Sequence, residues 1–199
     1  DSYIWVIGAE NGTPDDVWKS KDGANWELVA APVPWQERGN QMVTVFDGSI
    51  WVMGGQVGVA AQTNFVADFK AGKPFPPAPA PLRDVWRTQD GLSWELVTDN
   101  APWAPRGMIT GANGGVPVLH DRMWILGGGY VGTGGTTLSS LRYDLEQQPR
   151  LKTRLYHNDV WSSADGRDWT CHLAEGKAPW PARSYHDTAV WDGKLWVLG

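Results

Sequence analysis

One phrase recurs three times along this chain and limits what the chain can become. An Asp-Val-Trp triplet (Asp16–Trp18, Asp84–Trp86, Asp159–Trp161) leads into an Asp-Gly turn and a second Trp (Trp26, Trp94, Trp169). A Pro-rich link follows with a third Trp (Trp35, Trp103, Trp180) and, three residues on, an Arg (Arg38, Arg106, Arg183). An internal repeat sets architecture before local propensity does, because each copy is one supersecondary unit that buries its apolar face only against its neighbours.

The remainder of each unit is equally regular. Short runs of β-branched and aromatic residues (3–7, 42–46, 50–53, 195–198) are bounded by Gly or by Asp-Gly, the strongest two-residue hairpin signal. A fourth Trp follows the turn at Trp5, Trp51, Trp124 and Trp196, with gaps of 46, 73 and 72 residues. The basic unit is therefore about 46 residues, with insertions at 56–83 and 130–158. Four strands per 40–50 residues is the size of a propeller blade. Assigning strands in this register gives thirteen: strands two to four of one blade, two full blades, then strands one and two of another. The composition agrees, with 14 Trp against 5 Tyr and 4 Phe, punctuated by 24 Gly and 14 Pro.

The double glycines after a strand (Gly54-Gly55, Gly127-Gly128), the Trp of that strand and the Asp-Gly hairpins together resemble the kelch-type β-propeller family over nearly the whole chain. Asp192–Gly199 carries the resemblance most fully, whereas Gly8-Ala9 departs from it. Ser20–Trp26 also resembles the Asp-box of sialidase propellers, one residue tighter, which in those proteins is a structural turn. The expectation is an all-β, kelch-type propeller segment over 1–199, with four-stranded antiparallel blades, about three of them present and the ring incomplete.

That geometry sorts the loops. Asp22-Gly23, Asp47-Gly48, Asp90-Gly91, Asp165-Gly166 and Asp192-Gly193 fall at one end as tight turns, with only His120-Asp121 breaking the pattern. Both insertions and the links bearing Arg38, Arg106 and Arg183 fall at the other, at the entrances of the inner strands. The first insertion ends in the Pro-rich stretch 74–81; the second contains glycines at 132–135, a predicted short helix around 140–147 and a basic tail (Arg150, Lys152, Arg154). Converging guanidinium groups suit a carboxylate, a sulfate or an acidic peptide. In the kelch resemblance, arginines at such entrances line ligand-binding cavities in some members. The competing reading is that each Arg ties its own link by bonding backbone carbonyls. Five extra residues between Arg106 and Trp124, around 111–115, break the symmetry of the repeat.

The function classes narrow accordingly. A net charge of -5 argues against general nucleic-acid or anionic-membrane binding, and no run of 18 apolar residues offers a spanning helix. A single cysteine leaves the compartment open, with an extracellular or periplasmic location slightly favoured. No nucleophile elbow, phosphate loop or zinc-protease motif is present, and no cofactor or metal is implied. Galactose-oxidase-like enzymes share the kelch propeller and use a cysteine-crosslinked tyrosine; Cys171, however, takes the place of Leu28 and Leu96 and reads as a small buried apolar side chain. His157 and His186 fall at the insertion end, where a two-histidine site or, with Tyr156, an acid–base set is conceivable. The candidate binding residues are Arg38, Arg106, Arg183, Tyr156, His157 and His186, in a module that binds a protein or glycan at that end and meets further blades or other chains. The alternatives are a carbohydrate-active enzyme of sugar-acid epimerase or oxidase type, implied by the kelch resemblance, and an architectural domain of a larger surface assembly.

Overall fold

Turn chemistry places the strand ends. A computed structural model describes residues 2–8, 15–56, 82–107, 109–111, 115–131 and 154–199. Among these there are thirteen strands and no helix, so no helix is long and apolar enough to cross a membrane. Most of the insertions 56–83 and 130–158, including the predicted helix and the polyproline stretch, lie outside the described residues.

The chain divides into two compact units. The first holds a three-stranded antiparallel sheet of β1 (Ile4–Ile7), β2 (Val17–Ser20) and β3 (Trp26–Ala30), in that order. The second holds three sheets. One is a complete four-stranded meander of β4 (Met42–Phe46), β5 (Ser49–Met53), β6 (Val85–Thr88) and β7 (Glu95–Thr98). The next orders β11 (Trp169–Leu173), β10 (Arg154–Ser163) and β9 (Met123–Val131). The last orders β13 (Lys194–Leu198), β12 (Asp187–Trp191) and β8 (Thr110–Gly111).

The inner strand between Arg106 and Trp124 is interrupted partway along. Among the described residues it meets β9 antiparallel near both its ends, through the bridges Gly107↔Gly129 and Val118↔Met123, and between them β8 pairs in parallel with β12 (Thr110↔Asp187). A second parallel bridge joins Val43 to Gly115. Hydroxyls reinforce both junctions: Thr44 Oγ1 donates to the Val116 carbonyl at 2.8 Å and Thr188 Oγ1 to that of Gly115 at 3.2 Å. Parallel contact between successive inner strands is what sheets meeting side by side along their inner edges produce, and the five extra residues supply the slack. The core lies between these sheets, with Met42, Trp51, Met53, Trp103, Met123 and Ile125 among its members.

The Asp-Gly turns separate into two kinds. Asp47-Gly48 and Asp192-Gly193 have both residues at positive φ, as a two-residue hairpin requires. His120-Asp121 adopts the same conformation (φ 51° and 54°), so it breaks the pattern in composition and not in backbone. The other three turns are not two-residue hairpins, because only their Gly is left-handed. In each, the carboxylate accepts the N–H groups two and three residues on: Ala24 and Asn25, Leu92 and Ser93, Arg167 and Asp168. The hydroxyl two residues before the Asp accepts the Gly N–H, and the following Trp donates its indole N–H back to the Gly carbonyl. Donors from the Ser93 and Leu92 backbone hold the Asp90 carboxyl down at about 2, and the Asn25 backbone and side chain hold Asp22 lower still. These turns keep their charge through the whole ordinary pH range.

Most of the recurring tryptophans use their N–H as a latch as well as their rings as filler. Trp51, Trp124 and Trp196 each donate at 3.0 Å to the carbonyl five residues back, across the hairpin. Trp51 and Trp103 are buried, but Trp26 and Trp196 are exposed, so the slot does not uniformly mean core. Cys171 is a further correction: it is exposed, not buried, because its slot faces solvent on an outer strand, as Leu28 and Leu96 also do.

Gly166 is where a turn of one sheet meets the core of the next. A Cβ there would run into the Trp51 ring, at a φ of +72°. Gly176 has a similar φ of +77° and open space around it. Gly166→Ala is expected to destabilise the protein by about 1–3 kcal/mol more than Gly176→Ala, since overpacking adds to the shared backbone strain. Urea unfolding followed by Trp fluorescence measures the difference, and equal midpoints for the two variants would contradict this packing.

Candidate functional site

The end of the second unit opposite the hairpins is built on a backbone network that the repeat makes twice. After β5 the chain turns through Gly54 and Gly55, both at positive φ, and within β9 it passes through Gly127 and Gly128, likewise. Gly54 N–H bonds the Asp84 carbonyl at 3.0 Å, and Gly55 N–H that of Arg106 at 2.8 Å; Gly128 N–H reaches the Arg183 carbonyl at 3.2 Å. The link N–H groups answer at 3.1 Å each, Arg106 to the Leu82 carbonyl and Arg183 to that of His157. Glycine is required because a Cβ at Gly54 would strike the Arg106 carbonyl and one at Gly127 would come within 2.7 Å of the His157 carbonyl.

Within this frame the two link arginines differ. Arg106 is fully buried. Its Nε donates to the Ala104 carbonyl at 2.9 Å and one terminal nitrogen to the Gly127 carbonyl at 2.8 Å. Both terminal nitrogens bond the Asp159 carboxylate, the second at 2.8 Å, in a bidentate pair. Asp159 also accepts the Trp161 indole N–H at 2.8 Å. Burial pushes its carboxyl up, but the Arg106 fork outweighs that and the net shift is downward. Arg183 repeats the first two bonds, Nε to the Pro181 carbonyl at 3.2 Å and a terminal nitrogen to that of Gly199, and meets no carboxylate among the described residues. Arg183 is also partly exposed. In the first unit Arg38 is buried and donates Nε to the Gln36 carbonyl at 3.2 Å. All three arginines thus brace their own link, and only Arg183 faces solvent as well.

His157 stands beside Arg183 through their backbone bridge and occupies the slot of Leu82. Its Nδ1 lies 3.0 Å from the Glu175 carboxylate. Asn158 fixes the Glu175 loop: its amide donates to the Trp180 carbonyl at 2.9 Å and accepts the Gly176 N–H at 2.7 Å. His157, Asp159 and Glu175 bring their ligand atoms within 4.8 Å of one another. A cation there would lie against the guanidinium that holds Asp159, so the group reads as a His–Glu pair attached to an Arg–Asp pair. Tyr156 is half-buried, and the strand pleat turns it to the other face from His157.

His186 is held by the backbone through one ring nitrogen. It is buried, and its Nε2 donates to the Leu126 carbonyl at 2.8 Å. The Trp103 ring is fully buried, packs edge-on to Trp169 and offers no exposed face. One cluster had no signal in the sequence reading. Arg122 Nε donates to Ser162 Oγ at 2.7 Å, His172 Nε2 lies 2.8 Å from the same oxygen, and Trp124 stacks on the His172 ring. Ser162 is fully buried, so this is a brace across β9, β10 and β11 and offers no accessible nucleophile. Glu175 was missed because it follows no motif; the Leu-to-His change at 157 was the available clue.

Breaking the Arg106–Asp159 pair from one side leaves a buried charge alone. Arg106→Met or Asp159→Leu is each expected to cost about 3–5 kcal/mol, and the double variant to recover most of that loss. A double-mutant cycle by denaturant unfolding reads this directly; additive losses would show the pair to be uncoupled. His186 gives a second outcome. Burial lowers its pKa, aided by Arg183, despite the Leu126 bond and Asp187. The unfolded chain therefore binds the proton first, and stability falls as pH drops below about 6.5. His186→Gln should flatten the pH 5–7 limb of the stability curve, whereas an unchanged slope would exclude His186 as its source.

No family profile matches the chain, and no curated protein sequence matches it. Among solved structures, the one titled "Structure of YjhT" aligns over 92% of this chain with a TM-score of 0.51 and 15% identity. The alignment covers 43% of that chain, so the present chain spans less than half its length. At this identity the likeness speaks to fold alone. It agrees with an all-β, propeller-like arrangement of small sheets.

Proposed function

We propose that the chain is a binding module on a kelch-type propeller, engaging an anionic group of a protein or glycan ligand at the end where Arg183, His157 and Glu175 lie. The Gly-Gly pairs after β5 and within β9 and the repeated link network support the kelch assignment. The single observation behind the binding role is a partly exposed Arg183 bridged through the backbone to His157, whose ring pairs with Glu175. Arg106 has its carboxylate in Asp159, and Arg183 has the same backbone bonds and an outward-facing guanidinium. Both insertions leave their sheets at this end, after β5 and β9. The spare donors of Arg183 suit a carboxylate in bidentate geometry. Arg106 and Arg38 serve the scaffold in this reading, and Tyr156 and His186 flank the site without contacting the ligand.

The second reading, an enzyme acting on a sugar acid, is favoured by the His157–Glu175 contact at 3.0 Å, a pairing suited to proton transfer. Binding and turnover separate experimentally: Glu175→Gln would abolish turnover in the enzyme and leave carboxylate affinity nearly intact in the module.

Titration of the protein with acetate, read by NMR, tests the main reading. The Arg183 side-chain resonance and the backbone at 156–158 are expected to shift. Arg183→Ala should weaken acetate binding by about tenfold or more, the worth of one charge-assisted hydrogen-bond pair. Affinity unchanged in Arg183→Ala would overturn the site.

A further inference from the structure

Resting on the reading of this end as a carboxylate site, we infer that His157 recognises a second group of the same ligand. Its Nε2 accepts a hydrogen bond from a neutral O–H or N–H carried on the carbon beside the carboxylate. The starting point is an atom without a partner. His157 Nε2 is shut from solvent and makes no hydrogen bond. Buried polar atoms are nearly always paired, so one that is not calls for a function. The repeat shows that the ring is an addition, since the preceding sheet has Leu82 in the same slot.

The other ring nitrogen fixes the tautomer. Nδ1 lies 3.0 Å from a Glu175 carboxylate oxygen. A carboxylate only accepts, so Nδ1 carries the proton and, in the neutral ring, Nε2 holds the lone pair. Asn158 ties down the Glu175 turn through the Gly176 N–H at 2.7 Å, so the ring's orientation is imposed by its neighbours. The surroundings of the ring come from earlier in the chain. His157 shares one face of β10 with Asp159 and Trp161, of which Asp159 is bonded to Arg106 and Trp161 packs on the core. The Arg106 fork closes on Asp159 and leaves Nε2 alone.

His157 and Arg183 stand directly opposite each other across their antiparallel bridge. Residues so placed send their side chains to one face with Cβ atoms about 5 Å apart, close enough for one small acid to meet both. The Glu175 side chain is 53% exposed and Gly176 has open space around it, so the ring is reached past this turn. The lone pair selects a neutral donor. An ammonium group would stand against the Arg183 charge, and an acid such as acetate has no second group to offer. The ligand class is therefore a carboxylate bearing a hydroxyl or an amide N–H on the adjacent carbon.

NMR titration of the protein with a set of small acids tests this. Acetate and methoxyacetate lack a donor, glycolate carries an O–H, and N-acetylglycine carries an N–H. Glycolate or N-acetylglycine should bind about tenfold more tightly than acetate, and the one that does identifies the donor; methoxyacetate should gain nothing. The nitrogen-15 resonance of His157 Nε2 should move with that acid and not with acetate, a readout that needs no variant. His157→Asn keeps a donor near the place of Nδ1 and removes the acceptor, so it should erase the preference while acetate still binds. His157→Gln returns an amide oxygen near the place of Nε2 and should recover part of it. Equal affinity for all the acids, a proton on Nε2 in the neutral ring, or a preference that survives His157→Asn would each overturn the inference. If acetate binds and the added donor gains nothing, the carboxylate site stands and the role of His157 falls. If no acid binds, both fall.

Discussion

The second unit depends on one buried guanidinium. Arg106 touches the carbonyl of its own link, the Gly127 carbonyl within β9 and the Asp159 carboxylate within β10. A charge fully removed from water is tolerated only when every donor is engaged and a counter-charge is fixed in place. That requirement dictates much else. Gly127 must present its carbonyl without a Cβ, Asp159 must stand on β10 within reach of the fork, and the Trp161 indole must orient the carboxylate. Link, second strand and third strand are locked into one register by a single side chain.

Repetition then turns departures into information. The same slot holds Leu82 in one sheet and His157 in the next, and the same link arginine is enclosed at 106 and outward-facing at 183. Where the repeat is obeyed, polar groups are consumed by the scaffold: three aspartates cap turns, tryptophans latch hairpins, and Ser162 braces Arg122 and His172. Arg183, partly exposed, stands beside His157, where the pattern is altered. This separates scaffold from site without any appeal to catalytic motifs.

Much of the fold was legible beforehand. The strand count, the four-stranded order of β4 to β7 and the hairpins at Asp47-Gly48 and Asp192-Gly193 follow from short-range rules, because period-2 burial and positive φ are written in local composition. The misread features share one character. The Asp-Gly turns at 22, 90 and 165 look like two-residue hairpins until the carboxylate is seen capping N–H groups beyond the glycine. Cys171 looks apolar and buried until its strand proves to be an outer one. The stretch before Trp124 does meet β9 near its two ends, but between them Thr110 and Gly111 pair in parallel with β12, 77 residues further on in the register Thr110↔Asp187.

Sequence by itself determined the unit: which residues turn, which alternate, and which Trp, Asp and Arg return at each repeat. These depend on backbone sterics and on hydrogen bonds between groups a few residues apart, so local order suffices to specify them. Only the tertiary structure decided the fate of the arginines, that Arg106 would be buried against Asp159, 53 residues away, and that Arg183 would face outward. The physical reason is that burial and charge pairing belong to the neighbouring sheet and not to the residue. Identical triplets of sequence acquire different chemistry according to what is packed beside them.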